Sequence, residues 1–535
     1  MAQDLAAVKA YHALSKHDFQ RYAPGPHGLE WANQPDPFLR YEGAPLLALE
    51  RGFEGERVGL ADALCGRAQV APFDARSVAR LFFDSLALSA WKEFRGSRWA
   101  LRVNPSSGNL HPTEAYLVAG ALPGLSNAPA LYHYAPREHA LELQGELEPA
   151  RWSALARGET GAFLVLTSIL WREAWKYGER AFRYCQHDLG HALASLAYAA
   201  AGLGWEVRSL EGSSTAEIAH LAGIEGSSGP EFEEAECLLW VGPRGAPVPP
   251  EPAREPLALK IRSLGRRRPL SLDPLHWREA ERCARATQKP RTPALPPAPC
   301  AGRAGRAPSS GELRSLVRAR RSAVALDGRT ELEREVFYRI LAATRPSSDR
   351  APFCAWPHET RVALAVFVHR VRDLAPGLYL FEREAGEAAR LRPLLRPDFL
   401  WELAPSAGDL GLHLLLPLDL RDAAAAISCH QDIAAEGAFS LGMLAEFDRA
   451  LAEHGPWFYR RLFWECGMIG QVLYLEAQAA EVRGTGIGCY FDDPMHELLG
   501  LSGTPWQDLY HFTVGGAVED ERLTTLPAYS GLASS

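Results

Sequence analysis

Residues 104–116 read Asn104-Pro105-Ser106-Ser107-Gly108-Asn109-Leu110-His111-Pro112-Thr113-Glu114-Ala115-Tyr116. Pro105 fixes φ, and Gly108 permits close approach of backbone to a flat or anionic ligand. Ser106, Ser107 and Asn109 offer hydroxyl and amide groups at the same spot. A ligand cradle and a capped turn account for this run equally well. A second candidate is the helix-ending run Leu316-Val317-Arg318-Ala319-Arg320-Arg321-Ser322. Two guanidiniums and a hydroxyl suit a phosphate, although a solvated cationic helix end reads the same way. In Arg483-Gly484-Thr485-Gly486-Ile487-Gly488 the alternate glycines permit backbone amides to face a ring system. The spacing is not the GxGxxG of dinucleotide sites. His187 and His191 share a helix face at metal-pair spacing, but no third ligand accompanies them, so they read as interior histidines and no metal is expected. Cys429-His430-Gln431-Asp432 lacks hydrolase context and reads as a loop before a strand near Phe439 to Leu444.

The elements that would position these residues follow from periodicity. Helices are expected over Ser77 to Ala90 and Tyr184 to Gly202, and strands over Ala115 to Ala119, Ala162 to Leu166 and Glu236 to Val241. Gly202-Leu203-Gly204 is a helix C-cap signal. At 535 residues the chain needs two domains or more. Its 47% hydrophobic and 23% charged residues are in the soluble globular range. A net charge of −8 argues against electrostatic nucleic-acid binding, and no apolar run spans a bilayer. Nine cysteines without a CxxC pair, and a start without an export signal, suggest reduced thiols in a cytoplasm.

The chain repeats itself. Tyr177-Gly178-Glu179-Arg180-Ala181-Phe182-Arg183 aligns with His454-Gly455-Pro456-Trp457-Phe458-Tyr459-Arg460, and the same offset sets Gly190 on Gly467 and the first long helix on a second, Glu465 to Ala480. The closing strands Leu238-Leu239-Trp240-Val241-Gly242 and Phe512-Thr513-Val514-Gly515-Gly516 match in type. The ordered set predicts a tandem duplication. The expected organisation is an irregular N-terminal arm over 1–57, a first domain over 58–250, a linker region over 251–311 rich in Pro, Ala and Gly from Lys289 onward, a second domain over 312–529 and a tail over 530–535.

The Pro-Ser-Ser loop, the Arg-Arg-Ser element and the glycine run, in this order, resemble the nitroreductase superfamily, in the branch of SagB-type azoline dehydrogenases. That resemblance implies an α+β fold: two tandem domains, each a mostly antiparallel sheet flanked by helices, forming an intramolecular pseudo-dimer. It implies FMN in the interface between halves. Arg320 and Ser322 would hold its phosphate, with Arg321 or Arg522 as further cations. Pro105, Ser106, Ser107 and Asn109 would lie along the ring and ribityl chain. Backbone amides of Gly484, Thr485 and Gly486 would sit near flavin N5. In SagB-type enzymes a Lys-Tyr pair serves azoline oxidation, so Lys176-Tyr177 becomes the catalytic candidate. Either group, its pKa lowered in a dry pocket, would take a proton from carbon while the flavin accepts hydride. Its structural alternative is a solvated lysine beside a tyrosine packed at a helix start.

The first half keeps the Pro-Ser-Ser loop but has no Arg-Arg-Ser around Leu60 to Ser77. The second keeps Arg320-Arg321-Ser322, but its Pro-Ser-Ser counterpart is Cys354-Ala355-Trp356-Pro357-His358-Glu359-Thr360, where Trp356 would crowd and Glu359 repel a flavin phosphate. The expectation is one FMN per chain. The expected activity is dehydrogenation of a heterocycle in a small molecule or peptide. The alternatives are an NAD(P)H-dependent nitroreductase or quinone reductase, and a flavin-binding or flavin-free scaffold. Further self-association of pseudo-dimers stays open.

Overall fold

The computed structural model describes residues 2–53, 55–254, 264–295 and 308–529. Pro296, Pro297 and Pro299 of the linker and the tail 530–535 lie outside the described residues. Each half is built on a seven-stranded antiparallel sheet. In the first, the strands lie in the order Leu46–Ala48, Ala140–Glu146, Ala130–Ala135, Thr113–Ala119, Ala162–Ile169, Glu233–Pro243, Trp205–Ser209. In the second, the order is Glu402–Leu403, Leu412–Leu416, Gly377–Phe381, Val362–Val368, Phe439–Glu446, Trp506–Gly515, Arg483–Ile487. The two orders correspond strand for strand except in where the edge strand originates. In the first half it comes from the N-terminal arm; in the second it is inserted within the sheet's own run. The central strands Thr113–Ala119, Ala162–Ile169, Val362–Val368 and Phe439–Glu446 are buried along their whole length, as sheets covered on both faces require.

The long helices are Ala181–Gly202 and Phe458–Ala479, and the offset that sets Gly190 on Gly467 maps one onto the other end for end. They cross where these glycines meet. A Cβ on Gly190 would strike the Trp464 carbonyl, and one on Gly467 the His187 carbonyl, so side chains at either position would force the helices apart. A continuous apolar core runs through this crossing into both halves, with a smaller second core inside the second half. Each long helix also carries an arginine into the opposite half. Arg183 reaches Asp492, and Arg460 reaches Glu236 at 2.6 Å and Glu234 at 3.1 Å.

Two expectations need correcting. The helix expected over Ser77 to Ala90 is Ala75–Phe83; the chain turns through Asp84 and becomes the strand Leu88–Phe94. The arm is not wholly irregular, because it opens with the helix Ala2–Leu14, which packs on the helix Arg278–Ala286 inside the 251–311 stretch. The arm also packs on the second half. His12 bonds Tyr459 and Gln507, and the His17 amide bonds Asp492, all in the second half. No described helix is long and apolar enough to cross a membrane.

Candidate functional site

The Pro-Ser-Ser loop, the Arg-Arg-Ser element and the glycine strand converge on one interface between the halves. Two adjoining cavities, about 310 Å³ and about 270 Å³, share Pro105, Ser106 and Ser322 in their walls. The first takes Asn109, Arg320 and Arg321 as well; the second takes Ser107, Tyr177, Thr485 and Gly486. Ser322 pairs with Gly484 as a one-residue parallel bridge, and Thr485 Oγ1 donates to the Ala323 carbonyl at 2.6 Å. The helix Leu313–Ala319 ends immediately before Arg320, so its last turn delivers both arginines.

The first cavity is electropositive: Lys92, Arg102, Arg320, Arg321 and Arg483 line it against two carboxylates, Glu519 and Asp520. Neither Arg320 nor Arg321 has a carboxylate partner among the described residues, and Arg102 and Arg483 join them in the wall. Arg483 has only the exposed Glu519, at 3.7 Å. Burial lowers Arg321 to about 10, and its neighbours Arg320, Arg483 and Arg318 push the same way. Burial likewise lowers Arg102 to about 10. Arg320 Nε and Nη2 donate to the carbonyls of Val103 and Arg102, tying the second half's arginine to the first half's loop at 3.0 and 3.1 Å. Arg102 Nε, Asn104 Oδ1 and His111 Nδ1 are buried in the wall without hydrogen-bond partners. Clustered guanidiniums and orphaned polar atoms suit a phosphate with its polyol. Arg522 is not brought in. Its guanidinium lies 74% exposed and pairs with Asp520.

The second cavity is aromatic. Cβ atoms on Gly484, Gly486 and Gly488 would strike Phe512, the Tyr510 hydroxyl and the Tyr184 ring respectively. The alternate glycines therefore admit aromatic rings, and Tyr184 and Tyr510 line the cavity. The Gly486 amide is already engaged, donating to the Tyr474 hydroxyl at 3.0 Å. Gly108 has φ +57°, and a Cβ there would lie 2.6 Å from the Tyr177 hydroxyl, so Tyr177 packs directly on the Pro-Ser-Ser loop. Lys176 Nζ sits 5.2 Å over the Tyr177 ring and does not line the cavity. Tyr177 corrects the expectation of a lowered pKa. Burial, then Glu173, Tyr184 and Asp188, hold its phenol well above the usual range, so it keeps its proton and is not a ready base.

Beneath the loop lie two carboxyls that motif reading passed over. Asp188 accepts from the Ser107 amide at 2.9 Å and from its hydroxyl at 3.0 Å. Burial pushes Asp188 up to about 7, against the hydrogen bonds from Ser106 and Ser107. Glu173, fully buried, is pushed higher by burial and then by Asp188. The remaining loop groups are bonded internally: Ser106 Oγ accepts from the His111 amide, and Asn109 Nδ2 donates to the Ala100 carbonyl. The loop is thus preset before any ligand arrives. His187 Nε2 bonds the Leu509 carbonyl and His191 Nε2 the Tyr510 hydroxyl, which occupies a nitrogen of each ring in the protein's own packing.

The arm secures the Lys-Tyr string. The Glu179 amide donates to the Pro24 carbonyl at 2.9 Å, and Tyr11 to the Glu179 carbonyl at 2.7 Å. Arg180 spans Asp492 and the Gly488 carbonyl. Burial opposes ionisation of Asp492, but Arg180 and Arg183 hold it well below the usual carboxylate range.

The opposite interface differs in chemistry. Reciprocal bonds join Leu60 N to the Gly311 carbonyl and Leu313 N to the Val58 carbonyl around the bridge Gly59–Glu312. Counting forward equally from that bridge sets Arg67, Ala68 and Gln69 against Arg320, Arg321 and Ser322. Arg67 is spent on the exposed Asp62 at 2.8 Å. A cavity of about 380 Å³ does exist there, with Trp356 in its wall. Glu359 is not part of it: the carboxylate lies 66% exposed and pairs with Arg361. The acidic groups facing that cavity are Glu206 and Glu251.

The whole chain is similar to the crystal structure of a protein provisionally named a nitroreductase from Anabaena variabilis. The TM-score is 0.69 with 22% identity, over 96% of this chain and 99% of that one. The chain has a nitroreductase-like fold. Shorter structures match about half of it. One, from Ralstonia eutropha and also provisionally named a nitroreductase, aligns over 42% of this chain and 96% of its own, at 17% identity and TM-score 0.29. Another is in the Escherichia coli microcin synthetase McbBCD complex with truncated pro-MccB17 bound, over 45% and 93%, at 15% identity and TM-score 0.26. No family model and no curated protein matches the chain. Among the residues that this interface gathers, Arg102, Glu173, Asp188, Tyr184 and Tyr510 had carried no sequence signal of their own, and Arg483 had been read only as the start of the glycine run.

Proposed function

We propose that the chain is an FMN-dependent two-electron oxidoreductase with one working site, in the interface that joins Pro105–Asn109 to Arg320–Ser322. The observation that carries this reading is the cluster of Arg320, Arg321, Arg102 and Arg483, of which only Arg483 has a carboxylate partner among the described residues, at one end of an aromatic-walled cavity. Arg321 and Arg483 would hold the phosphate, with Arg320 anchoring the two halves around it. Ser106 and Asn109 border the polyol's path, and Tyr184 and Tyr510 border the ring. Bound FMN would supply hydride acceptance and donation; the protein supplies position, exclusion of water and protons.

Two substrate readings remain, and each has its own support. A SagB-like dehydrogenase acting on a heterocycle in a small molecule or peptide is supported by Tyr177 at the cavity wall with Lys176 against its ring. A reductase drawing electrons from NAD(P)H is favoured by the protonation of the wall. Tyr177 holds its proton at neutral pH and Asp188, raised to about 7, holds it in part, which suits supplying a proton as hydride is added to a substrate. The experiment is anaerobic. FMN-loaded protein is mixed with NADH or NADPH, and separately with a thiazoline-containing peptide, while flavin absorbance is followed. Bleaching by the nucleotide supports the reductase and bleaching by the azoline supports the dehydrogenase. Protein that stays colourless after incubation with FMN refutes both and leaves the scaffold reading.

A further inference from the structure

The wall of the second cavity includes a thiol, Cys489, one residue beyond Gly488. A second thiol is folded against it. After the helix Arg421–Ile427, Cys429 and His430 take φ +56° and +58°, left-handed conformations that non-glycine residues adopt at an energetic cost. The bend is held by bonds that join the two segments. Gln431 Nε2 donates to the Cys489 carbonyl at 3.0 Å and to the Ser428 carbonyl at 2.7 Å, and the Phe491 amide donates to the Ile427 carbonyl at 2.7 Å. These bonds fold the Cys429 segment onto the Cys489 segment and set the two thiols, both only partly buried, close enough to shift each other's acidity. The more deeply buried Cys185, Cys237, Cys283 and Cys466 have no such access.

We propose that Cys429 and Cys489 are a redox-active dithiol that exchanges two electrons with flavin bound in the cavity, an inference that rests on the FMN reading above. The environment makes the pair unequal. Interaction with Cys429, against burial and with help from Arg180, lowers the Cys489 thiol below its usual range. The same interaction and burial raise Cys429. Cys489 is therefore the more acidic thiol and the one suited to attack as a thiolate, and Cys429 the one that keeps its proton. In the oxidative direction a sulfur–sulfur bond forms between them and the Cys429 sulfur–hydrogen bond breaks. Bound oxidised flavin would accept the two electrons and that proton, and bound reduced flavin would return them to reopen the disulfide. The dithiol so regenerated would reduce small external disulfides by thiol–disulfide exchange.

Two measurements on the full-length protein test this. Flavin-free protein equilibrated in glutathione redox buffers and mapped by mass spectrometry should show a reversible Cys429–Cys489 disulfide, absent in Cys489→Ser. Both thiols remaining fully alkylable in oxidised glutathione would overturn the proposal without touching the flavin reading. FMN-loaded, pre-oxidised protein titrated anaerobically with dithionite should consume about four electron equivalents per chain, and Cys429→Ser about two. Coloured wild-type protein that consumes only about two overturns the electron exchange alone. Protein that forms the disulfide but takes up no FMN overturns the flavin reading and the exchange with it.

Discussion

Replacing Asp188 with Asn should make the protein's stability less dependent on pH. Asp188 is buried under the Pro-Ser-Ser loop, and its carboxyl titrates at about 7 in the folded chain against 3.8 for an ordinary aspartate. Below pH 4 folded and unfolded chains both hold the proton, and the site costs nothing. As pH rises the unfolded chain releases the proton first, so stability is lost progressively until the folded pKa is passed. A shift of about three units at 1.36 kcal/mol each amounts to about 4 kcal/mol in all, of which about 2.6 kcal/mol falls between pH 5 and pH 8. Asn mimics the neutral carboxyl, and its side-chain oxygen can still accept from the Ser107 amide. Guanidinium denaturation followed by tryptophan fluorescence at pH 5 and pH 8 measures the effect. The wild type should lose about 2–3 kcal/mol more than Asp188→Asn across that interval. Equal losses in the two proteins would show that Asp188 ionises as a solvated acid and would remove it from the proton inventory of the cavity.

Other perturbations follow from the same geometry. Arg321→Ala should weaken FMN binding about tenfold to a hundredfold and leave riboflavin binding unchanged, by fluorescence quenching, because only the phosphate loses a charged partner. Tyr177→Phe should keep FMN affinity and lower turnover by about a hundredfold in either direction of catalysis, since a proton donor is lost and no packing volume. Gly190→Val should destabilise the chain by about 3 kcal/mol or more in thermal or denaturant unfolding, because the added carbons meet the Trp464 carbonyl at the helix crossing.

Much of the fold was legible because the duplication doubled every signal. The long helices are apolar enough on all sides to show as buried elements, and their common offset predicts them as a pair over Tyr184 to Gly202 and Glu465 to Ala480; both start earlier, at Ala181 and Phe458. Pro105-Ser106-Ser107-Gly108 and Arg320-Arg321-Ser322 were legible because Pro, Gly and clustered Arg act through local backbone and charge. The helix Ala2–Leu14 was hidden because its apolar residues do not gather on one face; it is held by Tyr11 on Glu179 of the first half and His12 on Tyr459 and Gln507 of the second, which local pattern does not report. The Leu88–Phe94 strand was hidden because the run Leu86-Ala87-Leu88 continues a helical composition past the Asp84 turn. Asp188 and Tyr510 reach the cavity only through tertiary packing. The alternate glycines at 484, 486 and 488 did announce close neighbours, but those neighbours include the protein's own Tyr510 and Tyr184 rings.

The central claim is a single flavin between unequal halves. Titration of the flavin-free protein with FMN, followed by gel filtration and quantitation of bound flavin against protein, reads it directly. One FMN per chain, with clearly less bound to Arg321→Ala at an FMN concentration that just saturates the wild type, is the predicted result. Two FMN per chain would show that the interface holding Trp356, Glu206 and Glu251 also binds flavin, and would contradict the account.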